Sequence, residues 1–177
     1  MQFLRYQILD SSQNEAKRLI DKGDLELPTC IITEEQSAGR GQYGKSWASP
    51  PRAGLYTTII TELQQGDPDA QEALRMTQGF AEQALNTLKQ LYPADYYIKP
   101  INDIYYNDCK LAGILVEIYK EHLLIGIGLN LKAMPRQIKE SLVEAPKAPP
   151  ISLEEISSKD FGEEEFLNQF LKLACSN

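Results

Sequence analysis

Histidine and cysteine are nearly missing from this chain. His122 is the one histidine in 177 residues, and the cysteines are three: Cys30, Cys109 and Cys175. An odd set of widely separated cysteines offers no disulfide framework, and a single histidine with no cysteine pair offers no zinc site. Reduced thiols in a cytoplasmic protein are therefore expected. Basic residues are scarce as well: 18 Lys and Arg against 25 Asp and Glu leave a formal net charge of −7. Affinity for nucleic acid or for anionic membranes needs a basic face that neutralises phosphates, so neither is expected as a partner. Long apolar runs are lacking too. Met1-Gln2-Phe3-Leu4-Arg5-Tyr6-Gln7 has no apolar core of signal-peptide length, and no uninterrupted stretch reaches the length that spans a bilayer. What is present, 42% hydrophobic residues, is enough to bury one sizeable core, so a single domain over residues 1–177 is expected.

Asp10-Ser11-Ser12-Gln13-Asn14-Glu15 reads as the cap of a helix that runs to about Ile20 and stops at Gly23, because short oxygen-bearing side chains satisfy the free amides of a first turn. Residues 30–33 form a short β-rich run and residues 55–63 a second strand, joined by a glycine-bearing loop. Between Asp69 and Leu91, apolar residues at Ala73, Leu74, Met76, Phe80, Ala81, Ala84, Leu85 and Leu88 keep helical spacing and mark the main packing helix. Residues 96–99, 104–106, 110–119 and 123–131 are four β segments. The turns Asn107-Asp108-Cys109 and Lys120-Glu121-His122 join the last three, which predicts an antiparallel meander. Beyond Leu131 the chain becomes rich in Pro and Glu, with Pro135, Pro146, Pro149 and Pro150, before a closing helix from Glu163 to Ala174.

Two segments carry chemistry. The loop Glu35-Gln36-Ser37-Ala38-Gly39-Arg40-Gly41-Gln42-Tyr43-Gly44-Lys45-Ser46-Trp47 sets the cations Arg40 and Lys45 among glycines whose amides can approach an anion closely. By itself Gly-Arg-Gly equally describes a flexible surface turn with solvated cations. Trp47 beside it adds an aromatic face for a purine or an apolar ligand body. The second segment, Lys99-Pro100-Ile101-Asn102-Asp103, together with Lys110, groups two ammonium ions, an amide and a carboxylate. Asp103 could hold Mg2+ or orient an attacking amine, and the lysines could stabilise charge on a carboxylate and a departing pyrophosphate. A salt-bridged strand end is the plainer alternative. Lys110 opens the otherwise apolar strand Leu111-Ala112-Gly113-Ile114-Leu115-Val116, where a desolvated ammonium needs a ligand or partner. Gly126-Ile127-Gly128-Leu129-Asn130 strips side chains from a strand, which suits either close sheet packing or a ligand.

Asp10-Ser11-Ser12, the residue 36–47 loop followed by Ser49-Pro50, Lys99 to Tyr105, Lys110 to Glu117, and Gly126 to Asn130 occur in the order and approximate spacing of bacterial biotin protein ligases, which this chain resembles over residues 5–131. The resemblance implies an α+β fold with a central mixed, largely antiparallel sheet flanked by helices, the biotin/lipoate ligase fold related to class II aminoacyl-tRNA synthetases. It implies that biotin and MgATP form biotinyl-5′-AMP and pyrophosphate, and that a lysine of a biotin carboxyl carrier protein, as in acetyl-CoA carboxylase, then takes the acyl group. On this resemblance Ser11, Ser12 and Gln36 face the biotin ureido end. Gly39, Arg40, Gly41 and Gln42 fold over the adenylate, and Trp47 packs near the adenine and the ligand chain. Lys110 lies at the biotin carboxylate and α-phosphate. Lys99, Asn102 and Asp103 handle phosphates, metal and incoming lysine, with Asp103 the metal ligand, and Gly113, Gly128 and Asn130 line the floor.

The sequence departs from the family's patterns at three places. Gln42-Tyr43 stands where many members carry basic residues, so the loop holds less charge. Lys99-Pro100-Ile101-Asn102-Asp103 replaces the common Lys-Trp-Pro-Asn-Asp, and Ser12-Gln13 replaces Thr-Asn. Little sequence precedes Asp10, so the winged-helix module of the repressor-type members is not expected. The residues after Leu131, read as a helical tail over 132–177, do not resemble the small β-barrel that closes many members. A homodimer formed through a sheet edge is common in the family. The alternative readings are a lipoate or octanoate ligase, and a degenerate biotin- or carrier-binding homologue without catalysis.

Overall fold

The computed structural model describes residues 1–23, 25–63, 70–134 and 148–174. Pro135, Pro146, Cys175 and the expected helix start at Asp69 lie outside the described residues. The strands are β1 (Gln2–Leu9), β2 (Thr29–Gln36), β3 (Gly54–Glu62), β4 (Tyr97–Lys99), β5 (Asp103–Tyr106), β6 (Cys109–Tyr119) and β7 (His122–Asn130). They form one sheet in the order β1-β2-β3-β7-β6-β5-β4. Only β1 and β2 pair in parallel, and every other pair is antiparallel, so the sheet is mixed and largely antiparallel as expected. β4 to β7 are the predicted meander. β1 has no counterpart in the sequence reading: it is an edge strand with only Phe3, Leu4, Tyr6 and Leu9 partly buried among its apolar residues, so its pattern is half polar.

The parallel pairing of β1 with β2 requires a crossover, and α1 (Ser12–Lys22) supplies it. Ser11 caps that helix by accepting a hydrogen bond from the Gln13 amide (3.2 Å), and Gly23 ends it in the left-handed conformation at φ 75°. Ser11→Ala should lower stability by about 1 kcal/mol through loss of the cap, seen as a lower urea midpoint at unchanged slope.

Side chains alternate across a strand, so the two sheet faces bury separate clusters. On one face Ala16 and Ile20 of α1 pack on Ile31, Ile60 and Leu124. On the other, α2 (Ala70–Leu91) and α3 (Glu163–Ala174) cover Ile32, Leu55, Ile59, Ile104, Ile114 and Ile125 with Ala81, Ala84, Leu88, Phe166, Leu167 and Phe170. Cys30 is buried in this second layer, where desolvation pushes its thiol up to about 11, and both described cysteines are free thiols. Among the described residues no helix is long and apolar enough to cross a membrane.

The stretch read as a tail after Leu131 is part of the fold wherever it is described. Residues 149–151 run beside the start of β6: the Lys110 amide donates to Pro149 O (2.9 Å) and the Ile151 amide to Lys110 O (3.0 Å). A short 3-10 helix (Leu153–Glu155) follows, and α3 then docks on α2.

Candidate active site

The site lies on the sheet face that α1 covers only in part. Gly113 and Leu115 of β6 pair with Gly128 and Gly126 of β7 and share that face, so beyond the helix the sheet surface carries little side-chain bulk. Residues 39–47 cover the gap as a hairpin: Gly41 N–H donates to Lys45 O (2.7 Å) and Trp47 N–H to Gly39 O (2.9 Å), around a turn at Gln42–Gly44. Trp47 lays its ring on the glycines. A Cβ at Gly128 would stand 2.5 Å from Trp47 Cε2, and one at Gly113 would stand 3.0 Å from Trp47 Cζ3. Beneath the hairpin is a cavity of about 390 Å³. Gly128→Ala should push the indole off its seat and weaken ligand binding by roughly ten- to a hundred-fold, measured by calorimetric titration, with little change in the thermal midpoint.

One end of the cavity is neutral and dense in hydrogen-bonding groups. The Ser12 amide donates to Gln36 Oε1 (2.8 Å), Gln36 Nε2 donates to Ser49 Oγ (2.7 Å), and Thr58 Oγ1 donates to Ser12 Oγ (2.8 Å). Ser11, Ser12 and Gln36 all line the cavity. Gln13 lies across Gly126, where a Cβ would come within 2.6 Å of its Nε2; that nitrogen donates to Leu115 O (2.9 Å), and its Oε1 is buried without a partner. Asp10 steers this corner, because its backbone oxygen accepts from the Ala38 amide (2.8 Å) and its carboxyl is held well below the usual range by the Arg18 guanidinium.

The other end is charged. Lys110 Nζ pairs with Asp103 Oδ2 at 2.7 Å and stands 5.1 Å above the Trp47 ring centre, with both charged side chains about a quarter exposed. Asn102 is buried and donates to Ile114 O (2.5 Å), which fixes the turn that presents Asp103. Asn130 Nδ2 reaches Lys110 O (3.2 Å) and Ile151 O (3.1 Å), while its Oδ1 is buried without a partner. Desolvated acceptors of this kind are costly unless a ligand donor meets them.

Most residues singled out in the sequence thus meet at one cavity: Ser11, Ser12, Gln36, Arg40, Gly41, Gln42, Trp47, Asn102, Asp103, Lys110, Gly113, Gly128 and Asn130 line it. Two do not. Lys99 pairs with Asp103 across β4 and β5 and so shares its face, but its ammonium is drawn off the cavity by Asp108 (3.2 Å) and lies over the Tyr105 ring (4.4 Å). Gly39 is absent from the lining; it is buried at the base of the hairpin, where a side chain would strike the Trp47 carbonyl and Ser49. The sequence reading noted Gln13 and Gly126 within motifs without making them site residues, and it did not single out Thr58, which bonds Ser12 behind the wall, or Ala148 and Pro150, which reach the cavity from the far end of the chain. The placement of Gly113, Gly126 and Gly128 on facing positions of neighbouring strands was the available signal for the first two.

The sequence model of the Biotin/lipoate A/B protein ligase family matches residues 6–130. The chain belongs to the biotin/lipoate A/B protein ligase family. Curated relatives of this family member include the bifunctional ligase/repressor BirA of Escherichia coli K12, 37% identical over 142 residues that cover 77% of this chain and 42% of that protein. The biotin--[acetyl-CoA-carboxylase] ligase of Mycobacterium tuberculosis is 31% identical over 109 residues, 61% of this chain and 41% of that protein. The chain thus spans about two fifths of the length of these relatives. Among solved structures, a biotin protein ligase from Aquifex aeolicus in complex with biotin and ATP matches with TM-score 0.77 at 24% identity, covering 98% of this chain and 68% of that one. P. falciparum LipL1 in complex with lipoate matches with TM-score 0.60 at 14% identity, covering 98% of this chain and 61% of that one. The biotin/lipoate ligase fold expected from the sequence is the fold observed.

Proposed function

We propose that this chain activates biotin with ATP to biotinyl-5′-AMP and passes the biotinyl group to a lysine of a biotin carboxyl carrier protein in the cytoplasm. The observation that carries this reading is the polarity of the cavity: a neutral hydrogen-bonding end at Ser11, Ser12 and Gln36, a glycine floor under an indole, and a cationic end at Lys110. Biotin has the same order of parts, with a ureido ring, an apolar chain and a carboxylate. The relatives named as biotin ligases agree with it.

In the first step a biotin carboxylate oxygen attacks the α-phosphorus of ATP and the bond to pyrophosphate breaks. Lys110 would hold the carboxylate and the α-phosphate together and stabilise the charge that grows between them. Arg40 and the Gly41 and Gln42 backbone would close over the adenylate with Trp47, which excludes water from the anhydride. Asn130 Oδ1, buried and unpartnered, would accept from the nucleotide. In the second step the carrier lysine attacks the acyl carbon, AMP leaves, and the amine gives up a proton. Asp103 and Asn102 would orient that amine as it enters.

Among the described residues Asp103 is the one carboxylate on the cavity wall, and no group of three or more His, Cys, Asp or Glu could hold a metal ion. This donor set suits Mg2+ that arrives on the phosphates of ATP and takes one protein carboxylate, rather than a resident ion. The ion would neutralise phosphate charge. Lys99, tied to Asp108, receives no contact with the phosphates in this scheme. A second copy could add at either sheet edge, β1 or β4, without covering the cavity floor.

Pyrophosphate release with MgATP and either biotin or lipoate tests the reading, followed by addition of an apo carrier domain and mass analysis of its lysine. Release with biotin and acylation of the lysine are expected. Release with lipoate alone would make the chain a lipoate ligase, and biotin binding without release would make it a binding homologue.

A further inference from the structure

The hairpin of residues 39–47 is fastened to the body of the protein on two sides, and only one fastening is accounted for by the cavity. On the inner side Trp47 sits on Gly113 and Gly128. On the outer side the Arg40 guanidinium donates to Glu117 Oε1 (3.0 Å) on β6 and to Asn14 Oδ1 (3.1 Å) on α1. Glu117 is four-fifths buried, its Oε2 is fully buried without a hydrogen-bond partner, and among the described residues the only other cation on it is Lys17 Nζ at 3.3 Å. Removing a carboxylate from water to this extent is unfavourable unless cations compensate it, and Arg40, one of its two cations, belongs to the hairpin. Glu117 faces the same side of the sheet as Gly113 and Leu115, one strand position beyond the covered region.

We infer that Glu117 is a positioning residue of the ligase site: by holding Arg40 it latches the hairpin down over the cavity, and so keeps the acyl-adenylate from water until the carrier lysine arrives. The inference rests on the ligase reading for its catalytic consequence, while the latch itself is a property of the protein without ligand. When the latch is lost, a water oxygen attacks the acyl carbon and the acyl–phosphate oxygen bond breaks. The free acid and AMP leave, and a proton is released, with no carrier acylated. Lys17 supplies the control. It is the second cation on Glu117 but belongs to α1, so its removal relieves no contact of the hairpin.

Two measurements on the full chain test this. In the absence of ligands, trypsin cleavage after Lys45 should accelerate in Glu117→Gln by roughly three- to ten-fold, the range expected when one partly buried charged hydrogen bond is lost. Arg40→Gln, which also loses the bond to Asn14, should accelerate it at least as much, the double variant should add nothing to Arg40→Gln, and Lys17→Met should leave it unchanged. With MgATP, biotin and carrier, Glu117→Gln should raise the AMP released per carrier lysine acylated. Unchanged cleavage in Glu117→Gln, additive effects in the double variant, or equal acceleration in Lys17→Met would each overturn the latch. Faster cleavage in a chain that makes no acyl-adenylate from either acid would uphold the latch and overturn the ligase reading instead, so the two fail separately.

Discussion

Lys110→Ala should lower pyrophosphate release by about 10²–10³-fold, the loss that follows removal of one preorganised donor from a site where charge develops, equivalent to about 2.7–4 kcal/mol of transition-state stabilisation. Biotin binding should fall far less, because the neutral end of the cavity at Ser12 and Gln36 does not touch Lys110. The fold should survive. Lys110 is tied into the sheet by its backbone, through Pro149 and Ile151, and those bonds need no side chain. Lys110→Arg should rescue only part of the rate: the guanidinium keeps the charge, but its planar fork must share the 2.7 Å place beside Asp103 with the Trp47 ring. A Lys110→Ala protein that releases pyrophosphate within two-fold of the parent would remove Lys110 from the chemistry and return the pair to a strand-end salt bridge.

Phe170→Ala should be the most damaging single change to stability, about 3–5 kcal/mol, because it empties a fully buried aromatic position. Phe170 stacks on Phe166 at 6.4 Å between ring centres and meets Phe80 of α2 at 6.3 Å, and Gln83 of α2 donates to its backbone oxygen. A domain of this size should lose roughly 6–20 °C of thermal midpoint, a large share of a typical total stability of about 5–15 kcal/mol. The effect should reach the site. α3 is joined through the 3-10 helix at Leu153–Glu155 to residues 149–151, which pair with Lys110. Hydrogen exchange of the Lys110 amide should therefore rise together with that of α3. A loss below about 1 kcal/mol, with the Lys110 amide still protected, would mean that α3 folds outside the cooperative unit.

What could be read in the sequence is what local chemistry writes. The Ser11 cap and Gly23 stop bounded α1, the tight polar turns bounded the meander, and the closing helix from Glu163 to Ala174 matches α3. Charged and glycine-rich motifs marked most of the cavity wall. The rest depends on pairings between residues far apart in the chain. β1 was not legible because an edge strand bonded on one side carries a weak apolar pattern. The return of residues 149–151 to Lys110 is made by backbone groups, and Pro149 and Pro150 read locally as linker. Gln13 and Gly126 meet across 113 positions, and neither residue type announces the other. Lys99 misled for a related reason: its place in a polar segment was visible, but its capture by Asp108 in the following turn and by the Tyr105 ring was not.

The seating of Trp47 on the sheet glycines has a spectroscopic consequence. The chain holds a single tryptophan, and it belongs to the hairpin rather than to either hydrophobic layer. Its indole nitrogen is buried and unpartnered, and a lysine ammonium lies 5.1 Å from the ring centre. Indole emission from this protein is thus a direct optical record of whether the hairpin is down. A ligand that displaces Lys110 or accepts a hydrogen bond from that N–H changes the same signal, so loop motion and occupancy can be followed in real time without a label.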